Sequence, residues 1–311
     1  MRNSENNDFM SLEDFSIRHS TLMRILCLVL LILVLVMCWN IGTGHEFKET
    51  EAPYFPATNL EEDMSENFPW LVNTRDDMDT DSAGASVIDL SSCEGTCLIT
   101  EEGKYILKGN LKGRVLIKAP EQLVHLFLDG VDIESSEGPA ILAEEARKVV
   151  ITLMEESENT VSDHGDYRNW PDFEAAVSCA CDLTLNGTGT LTLNGFYKDA
   201  LRSRDVLRIL GGSYSIKCKR TAVHGNDGIH VSGGDFFIAS EKNGFRTKKG
   251  GIQGRGDLMI SGGTFNIIAG RYAFLTDRGN LYIFDCAIKD KSVVSTFQIA
   301  GIKRIEGGCL Q

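Results

Sequence analysis

Three stretches of the sequence decide the fold: LRILGGSYSI at residues 207–216, IHVSGGDFFI at 229–238 and LMISGGTFNI at 258–267. Each begins with an apolar-x-apolar strand, turns at a Gly-Gly pair and continues into a second alternating strand. Glycine suits such corners because it adopts positive φ angles without steric cost. Apolar residues at every second position are typical of β-strands and exclude helical repeats.

The same unit recurs to both sides of these stretches. Its first strand begins at residues 126, 151, 183, 207, 229, 258 and 281. A third short strand, with a small residue before an apolar one, follows the second strand, as at Ala200-Leu201 and Ala222-Val223. A period of 22–32 residues is too short for a propeller blade of about 40. The sequence therefore predicts an all-β parallel β-helix of about seven or eight coils.

Equivalent residues of a parallel β-helix stack about 4.8 Å apart on successive coils. One interior ladder is predicted from the first strands: Leu185, Ile209, Val231, Ile260 and Ile283. Residues 86–123 are expected to cap one end of the coils and residues 292–311 the other. His125 and His230 alternate outward along their strands and are expected at the surface. Asp182, Asp205, Asp227, Asp257 and Asn280 precede the first strands and are expected to be turn residues.

An unbroken apolar run at residues 25–39, extended by Leu22 and Ile41, has about the length that crosses a bilayer. Arg18 and Arg24 precede the run, and an acidic segment follows it. The positive-inside rule then predicts a single-pass membrane protein with residues 1–20 in the cytoplasm, a signal-anchor helix at 21–41 and the remainder outside the cell. The alternative is a cleaved signal peptide and a secreted protein, since Gly42 and Gly44 offer a weak cleavage site.

The overall net charge of −13 is concentrated behind the apolar run. Twelve acidic residues oppose two basic ones between positions 45 and 92, whereas residues 93–311 carry a net charge of only −2. We interpret residues 42–85 as a disordered acidic stalk and residues 86–311 as the β-helix domain. Because no run of Lys and Arg marks a basic stripe, no nucleic-acid partner is expected.

Several motifs occur in an order and spacing that resemble the bacterial carbohydrate-binding domain family. They are GKYILKG at 103–109, VHLFLDGV at 124–131, ESENT at 156–160, LTLNGTGTL at 183–191, VSGGDF at 231–236 and ISGGTF at 260–265. The resemblance implies a secreted or surface-anchored, right-handed parallel β-helix. It also implies binding of cell-wall polysaccharides such as cellulose and acidic pectins, bound calcium, and some likeness to polysaccharide lyases.

The resemblance further implies an acidic residue just before each small-apolar pair, where a carboxylate could lie beside calcium. In this chain only Asp199 is charged at that position, and Asn243 offers a carbonyl oxygen. These two residues are the candidate metal ligands. Calcium requires six to eight oxygen ligands, and these two positions supply only a few of them.

Candidate sugar ligands lie in the longest insertion, residues 154–175, and on the coil after it. Aromatic rings stack on sugar rings while carboxylates accept hydrogen bonds from hydroxyl groups. The candidates are Asp163, Asp166, Tyr167, Trp170 and Tyr197. The alternative is that Trp170 and Phe173 pin the insertion against the coils.

A basic cluster interrupts the acidic sequence at Arg246, Lys248, Lys249 and Arg255. Arg246, Lys248 and Arg255 could bind the carboxylates of a uronate polymer. The alternative is a solvated loop tip.

The sequence as a whole favours a membrane-anchored, extracytoplasmic and non-catalytic module whose partner is a cellulose-like or pectin-like polysaccharide. No compact pair of carboxylates on adjacent coils suits glycoside hydrolysis, and no catalytic residue is proposed. Two alternatives stay open: a calcium-dependent pectate-type lyase, and a structural or adhesive surface rod.

Overall fold

The computed structural model describes residues 68–69, 71–249, 255–307 and 310. These residues all belong to one compact unit, Tyr54–Gln311. The predicted cytoplasmic tail, the signal-anchor helix and the larger part of the predicted stalk lie outside the described residues. Within the described ranges, no helix has the length and apolar character that a membrane crossing requires.

The described chain folds as a parallel β-helix. Strands of successive coils pair in parallel and form three stacks, here called the first, second and third in their order along each coil. Three long strands pass through corners and contribute to more than one stack: Gly103–Lys112, Arg114–Glu137 and Ile141–Leu153. An α-helical turn, Arg75–Met78, and a 3₁₀ turn, Leu90–Ser92, complete the described elements.

The other strands each belong to one stack. The first stack contains Ser86–Asp89, Asp182–Gly187, Val206–Ile209, Gly228–Val231, Asp257–Ile260, Leu281–Ile283 and Lys303–Ile305. The second contains Glu158–Asp166, Thr190–Gly195, Ser213–Cys218, Asp235–Ser240, Thr264–Ala269 and Ala287–Asp290. The third contains Thr96–Ile99, Ala175–Cys179, Asp199–Ser203, Thr221–Gly225, Asn243–Thr247, Tyr272–Thr276 and Ser295–Ile299.

The β-helix has more coils than the sequence pattern indicated. In the described part of the chain the first stack has ten rungs rather than seven or eight. Residues 86–123, expected as a cap, form rungs in register with the later coils. The repeat was missed there because these rungs lack the Gly-Gly corner that marks the central coils.

The predicted interior ladder is confirmed. Leu185 pairs with Ile209, and the register continues through Val231 and Ile260 to Ile283. All five side chains are fully buried. Aromatic ladders line the other two stacks: Phe236 and Phe265 stack at 4.8 Å in the second, Phe245 and Phe274 at 5.4 Å in the third.

The glycine corners are confirmed as well. The second glycine of each Gly-Gly pair has a positive φ, +98° at Gly212, +111° at Gly234 and +103° at Gly263. The acidic corner residues Asp182 and Asp257 accept hydrogen bonds from backbone N–H groups of the next coil, not from those of their own turn. Asp182 accepts from the backbone N–H of Val206 at 3.1 Å, and Asp257 accepts from that of Asn280 at 2.7 Å.

Part of the predicted disordered stalk is packed on the domain. Residues 71–81, here called the strap, lie on the outer face of the first stack, and Leu71 and Asp77 are fully buried. Lys148 on this face forms an ion pair with Asp77 at 2.5 Å. The acidic composition suggested disorder because the sequence alone does not show the basic face that neutralises it.

The strap also changes the position of two histidines. His125 and His230 point outward from the first stack, as predicted, but each is only 3–4% exposed instead of lying at the surface. Nδ1 of His230 lies 3.0 Å from the carbonyl oxygen of Leu71 in the strap. Both rings are therefore part of an internal interface.

Candidate functional site

The structure brings Asp163, Tyr167 and Tyr197 together, with Asp163 and Tyr167 buried and Tyr197 partly exposed. Asp163 is fully buried, and its carboxylate accepts hydrogen bonds from the Tyr167 hydroxyl at 2.5 Å and from the backbone N–H groups of Phe196 and Tyr197 at 2.5 and 3.2 Å. The rings of Tyr167 and Tyr197 stack at 4.2 Å. Burial raises the pKa of Asp163, although these hydrogen bonds oppose the rise. The three residues brace the insertion against the next coil and leave Asp163 no surface for a ligand.

The other two candidate sugar ligands in the insertion, Asp166 and Trp170, also contact groups within the protein. Asp166 pairs with Arg168 at 2.6 Å. The Trp170 ring lies over the Arg114 guanidinium at 4.5 Å, and a Cβ added at Gly138 would lie 2.5 Å from Trp170 Cδ1. These contacts favour the alternative interpretation, in which the aromatic residues pin the insertion.

The predicted basic cluster is divided between two places. Arg246 lies on the outer face of the third stack and pairs with Asp277 at 2.6 Å. Arg255 and Lys249 both pair with the buried carboxylate of Asp227, at 2.7 and 2.8 Å. Lys248 is exposed and has no ion pair among the described residues. Most of this positive charge is therefore neutralised.

The two candidate metal ligands do not fit calcium. Asp199 is fully buried, and the Arg220 guanidinium donates to both of its carboxylate oxygens, at 2.7 and 2.8 Å. Nδ1 of His224 lies 2.9 Å from the same carboxylate. Burial alone would raise the pKa of Asp199, but Arg220 and His224 hold it well below its usual range.

The register separates the two ligands further. Thr221 lies between Asp199 and Asn243 in the third stack, which places the two residues two coils, or about 10 Å, apart. A calcium ion needs oxygens at about 2.3–2.6 Å, and a guanidinium already occupies the carboxylate. Within the described ranges, no group of three or more His, Cys, Asp or Glu side chains is placed to hold a metal ion.

A basic ridge assembled by the coils was missed in the sequence. Four basic residues each precede a third-stack strand: Lys198, Arg220, Lys242 and Arg271. Backbone hydrogen bonds of 2.7–2.8 Å connect these positions on successive coils. Lys242 and Arg271 are exposed and have no ion pair with another described residue. The sequence has no run of Lys and Arg, and this ridge of single basic residues on successive coils was not predicted.

A signal for the ridge was present in the repeat. Three successive coils read basic-x-small-apolar-basic, as KDALR at 198–202, RTAVH at 220–224 and KNGFR at 242–246. The last positions of these motifs, Arg202, His224 and Arg246, are in register on the outer face of the third stack. Glu174 and Asp199 neutralise the earlier coils, so free positive charge remains at Lys242 and Arg271.

The outer face of the second stack is the most open apolar surface of the central coils. Phe196, Phe237 and Ile268 are 41–43% exposed there. The register places Ser215 and Asn266 on either side of Phe237, and Ser213 and Thr264 on either side of Asp235. Small polar side chains and exposed apolar ones thus alternate along several coils.

Two shallow depressions lie on this face, and Phe237 lines the first of them. One, of about 340 Å³, is lined by Ser213, Ser215, Phe237 and Asn266. The other, of about 370 Å³, includes Phe196 and Ile268 together with Lys217 and Lys219. The second depression lies at the corner between the second and third stacks, where the basic ridge begins. We call this surface, with Phe237 at its centre, the aromatic face.

The stacked coils, with an exposed aromatic face and a basic ridge along them, place this chain in the class of solenoid repeat proteins. The chain belongs to the carbohydrate-binding domain-containing protein family, whose model matches residues 93–294. The match extends over most of the rungs and over both surfaces described above.

Two known proteins are similar to this chain. A carbohydrate-binding domain-containing protein from Acetivibrio thermocellus is 29% identical over 154 residues, which are 47% of this chain and 54% of the relative. The chain thus spans about half the length of that curated relative. A solved structure of the polysaccharide lyase-like protein from C. thermocellum, a gadolinium derivative, has a TM-score of 0.68 and 27% identity, and the match covers 72% of this chain and 97% of that one.

Proposed function

We propose that this protein binds an extended polysaccharide along the aromatic face, without chemical turnover. The observation that carries the proposal is the exposed ring of Phe237 in a depression lined by hydroxyl and amide side chains. Such a ring can stack on the apolar face of a sugar while its polar neighbours bond to the hydroxyl groups. Membership of the carbohydrate-binding domain family supports the same ligand class.

The proposed ligand includes acidic as well as neutral glycans. Coils repeat at about 4.8 Å, so the basic ridge offers cations at intervals close to the length of one sugar ring. Lys242 and Arg271 are the members whose charge is free to meet uronate carboxylates. Neutral glycans of the cellulose type would use the aromatic face alone, whereas pectin-like glycans would use the ridge as well.

We also propose that residues 21–41 anchor the protein in the cell membrane with the β-helix outside the cell. Protease treatment of intact cells tests this: the β-helix should be cleaved or released from outside, while residues 1–20 remain protected. Release of the whole domain without protease would instead favour the cleaved signal peptide.

The binding proposal is tested with full-length protein on gels that contain soluble cellulose derivatives or polygalacturonate. Phe237→Ala should weaken retention about two- to thirteenfold, the range that corresponds to about 0.5–1.5 kcal/mol for an aromatic contact. Val293→Ala, an exposed apolar residue near the last coils, is the matched control and should leave retention unchanged. Equal retention of the Phe237→Ala variant and wild type would refute the aromatic face as the site.

A second pair of variants separates the ridge from the aromatic face. Lys242→Ala with Arg271→Ala should weaken retention on polygalacturonate and reduce its salt sensitivity, but not retention on neutral glycans. Lys108→Ala, on a lysine paired with Asp129, is the control. A chelator should not change the retention of wild type on either kind of glycan, since Asp199 and Asn243 do not form a calcium site. Release of unsaturated uronates, seen by ultraviolet absorbance, would contradict the non-catalytic proposal and favour the lyase alternative.

A further inference from the structure

The strap runs across the coils in the reverse of their order. Leu71 contacts His230, Asp77 contacts Lys148 three coils earlier, and Asp79 reaches Lys104 near the first coils at 2.9 Å. Just before the strap, the ring of Phe68 packs edge-on against Tyr282, with ring centroids 4.8 Å apart. One short acidic segment is thus fastened to rungs spread over most of the described first stack.

Polar contacts hold most of the strap. Asp77 accepts from Lys148, from the Thr184 hydroxyl and from the backbone N–H of Thr74 at 2.7 Å, and Arg208 Nε lies 3.9 Å away. The Asn186 amide donates to the carbonyl oxygens of Asp77 and Asp79 at 2.8 and 2.9 Å. Such an interface depends on the charge state of its members more than an apolar one does.

Two histidines are buried beneath the strap. His230 bonds through Nδ1 to Leu71 and through Nε2 to Ser261, each at 3.0 Å, and the charged groups that face it are Arg208 and Asp77. His125 stacks on Phe127 at 4.1 Å, and its Nε2 lies 2.7 Å from the Thr152 hydroxyl. Lys104, Asp76 and Asp79 are the charged groups that face His125.

We propose that residues 71–81 form an acid-releasable strap, which leaves the outer face of the first stack below about pH 5 while the coils stay folded. Release would expose a basic and polar face that includes Lys148, Arg208 and both histidines, and would lengthen the connection between the β-helix and everything before it. This regulatory step is independent of the proposed polysaccharide binding on the second stack.

The direction of the pH dependence follows from the two histidines. Burial lowers the pKa of His125 and of His230 to about 4, whereas a free histidine titrates near 6.5. The released state therefore binds protons more readily, and docking weakens as the pH falls from about 6.5 towards 4. At pH 5 each histidine weakens docking by up to about thirtyfold, and the pair by up to about a thousandfold.

Asp77 acts in the same direction at lower pH. Burial by itself raises its pKa, but the bonds from Lys148, Thr184 and Thr74 outweigh burial and hold the pKa below the usual 3.8. Its contribution to docking is present above about pH 3.8 and is lost as the pH falls through the lowered value. Protonation of the two histidines thus determines release of the strap near pH 5. Protonation of Asp77 weakens docking further only at pH values below about 3.8.

Hydrogen exchange of the full-length protein, followed by mass spectrometry at about pH 7.5 and about pH 5, tests the strap directly. After correction for intrinsic rates, amides of residues 71–81 should exchange faster at pH 5, by up to about a thousandfold, while amides of residues 207–216 keep their protection. Equal protection of the strap at both pH values, or loss of protection in strap and coils together, would overturn the proposal.

Variants identify the groups responsible. His125→Gln with His230→Gln should keep the strap protected at pH 5, and the control His164→Gln, an exposed histidine paired with Glu134, should behave as wild type. Asp77→Asn should increase the rate of hydrogen exchange in residues 71–81 already at pH 7.5. This measurement tests the proposal even if the double histidine variant fails to fold. Unchanged exchange in Asp77→Asn, or wild-type release at pH 5 in a folded double variant, would count against the mechanism.

Discussion

Replacing Asp199 with asparagine separates the two roles considered for this residue, calcium ligand and internal counter-ion. The carboxylate is fully buried and accepts two hydrogen bonds from Arg220, one from the backbone N–H of Thr221 at 3.0 Å, and a contact from His224. Asparagine keeps the shape but removes the charge, and its amide group would face the guanidinium.

The expected cost is about 3 kcal/mol of unfolding free energy. Removing one partner of a buried ion pair costs about 3–5 kcal/mol, and the lower end applies because Arg220 keeps Glu174 at 2.9 Å and is about one-fifth exposed. With a urea m-value of roughly 1–3 kcal/mol/M, the denaturation midpoint should fall by about 1–3 M. Asp277→Asn is the matched control, since its pair with Arg246 is about one-quarter exposed and should contribute less than about 1 kcal/mol.

Urea denaturation measured as a function of pH and calcium completes the test. The pKa of Asp199 is lowered in the folded state, so its contribution is present above about pH 3.8 and is lost as the pH falls further. The difference between wild type and Asp199→Asn should therefore shrink in strong acid and be unaffected by calcium. A cost below about 1 kcal/mol, or calcium stabilisation of wild type alone, would refute the counter-ion role.

Two further substitutions test the corner geometry and the buried tyrosine. Gly187→Ala should destabilise the fold by more than about 2 kcal/mol, because φ is +93° and the new Cβ would lie 2.1 Å from the Leu153 carbonyl oxygen. Gly130→Ala, with φ +73° and open space, should cost only about 1–2 kcal/mol; equal thermal shifts in the two variants would contradict the steric argument. Tyr167→Phe should cost about 1–3 kcal/mol because buried Asp163 loses a donor, yet leave glycan retention unchanged. Weaker retention at wild-type stability would restore Tyr167 as a sugar ligand.

The repeating part of the fold could be predicted because its information is local. Alternation places Val231 and Ile260 on the inner side of their strands, and Gly-Gly pairs such as Gly233-Gly234 place the corners. Rungs without that corner, such as Ser86–Asp89, were missed because alternation over four residues is a weak signal.

The candidate site was predicted less well because it depends on two properties of the folded chain. One is which side chains are buried by other segments, and the other is which residues the coil register makes neighbours. Asp163 is a residue type that binds sugar hydroxyl groups, yet it lies in register with Gly195 and is fully buried. Lys242 and Arg271 are 29 residues apart in sequence, and only the coil register makes them neighbours. Phe237 lies in a strand that the sequence predicts, but its exposure is visible only once its neighbours are placed.

The sequence by itself determined the parallel β-helix, its interior ladder and its corners, since alternation and glycine act within a few residues. The tertiary structure alone decided that an acidic segment becomes a strap and that two outward histidines are buried. The contact of Asp77 with Thr184 joins residues 107 positions apart, so no local pattern could indicate it. Charge neutralisation across such distances arises only after the coils have placed Lys148 and Arg208 on one face.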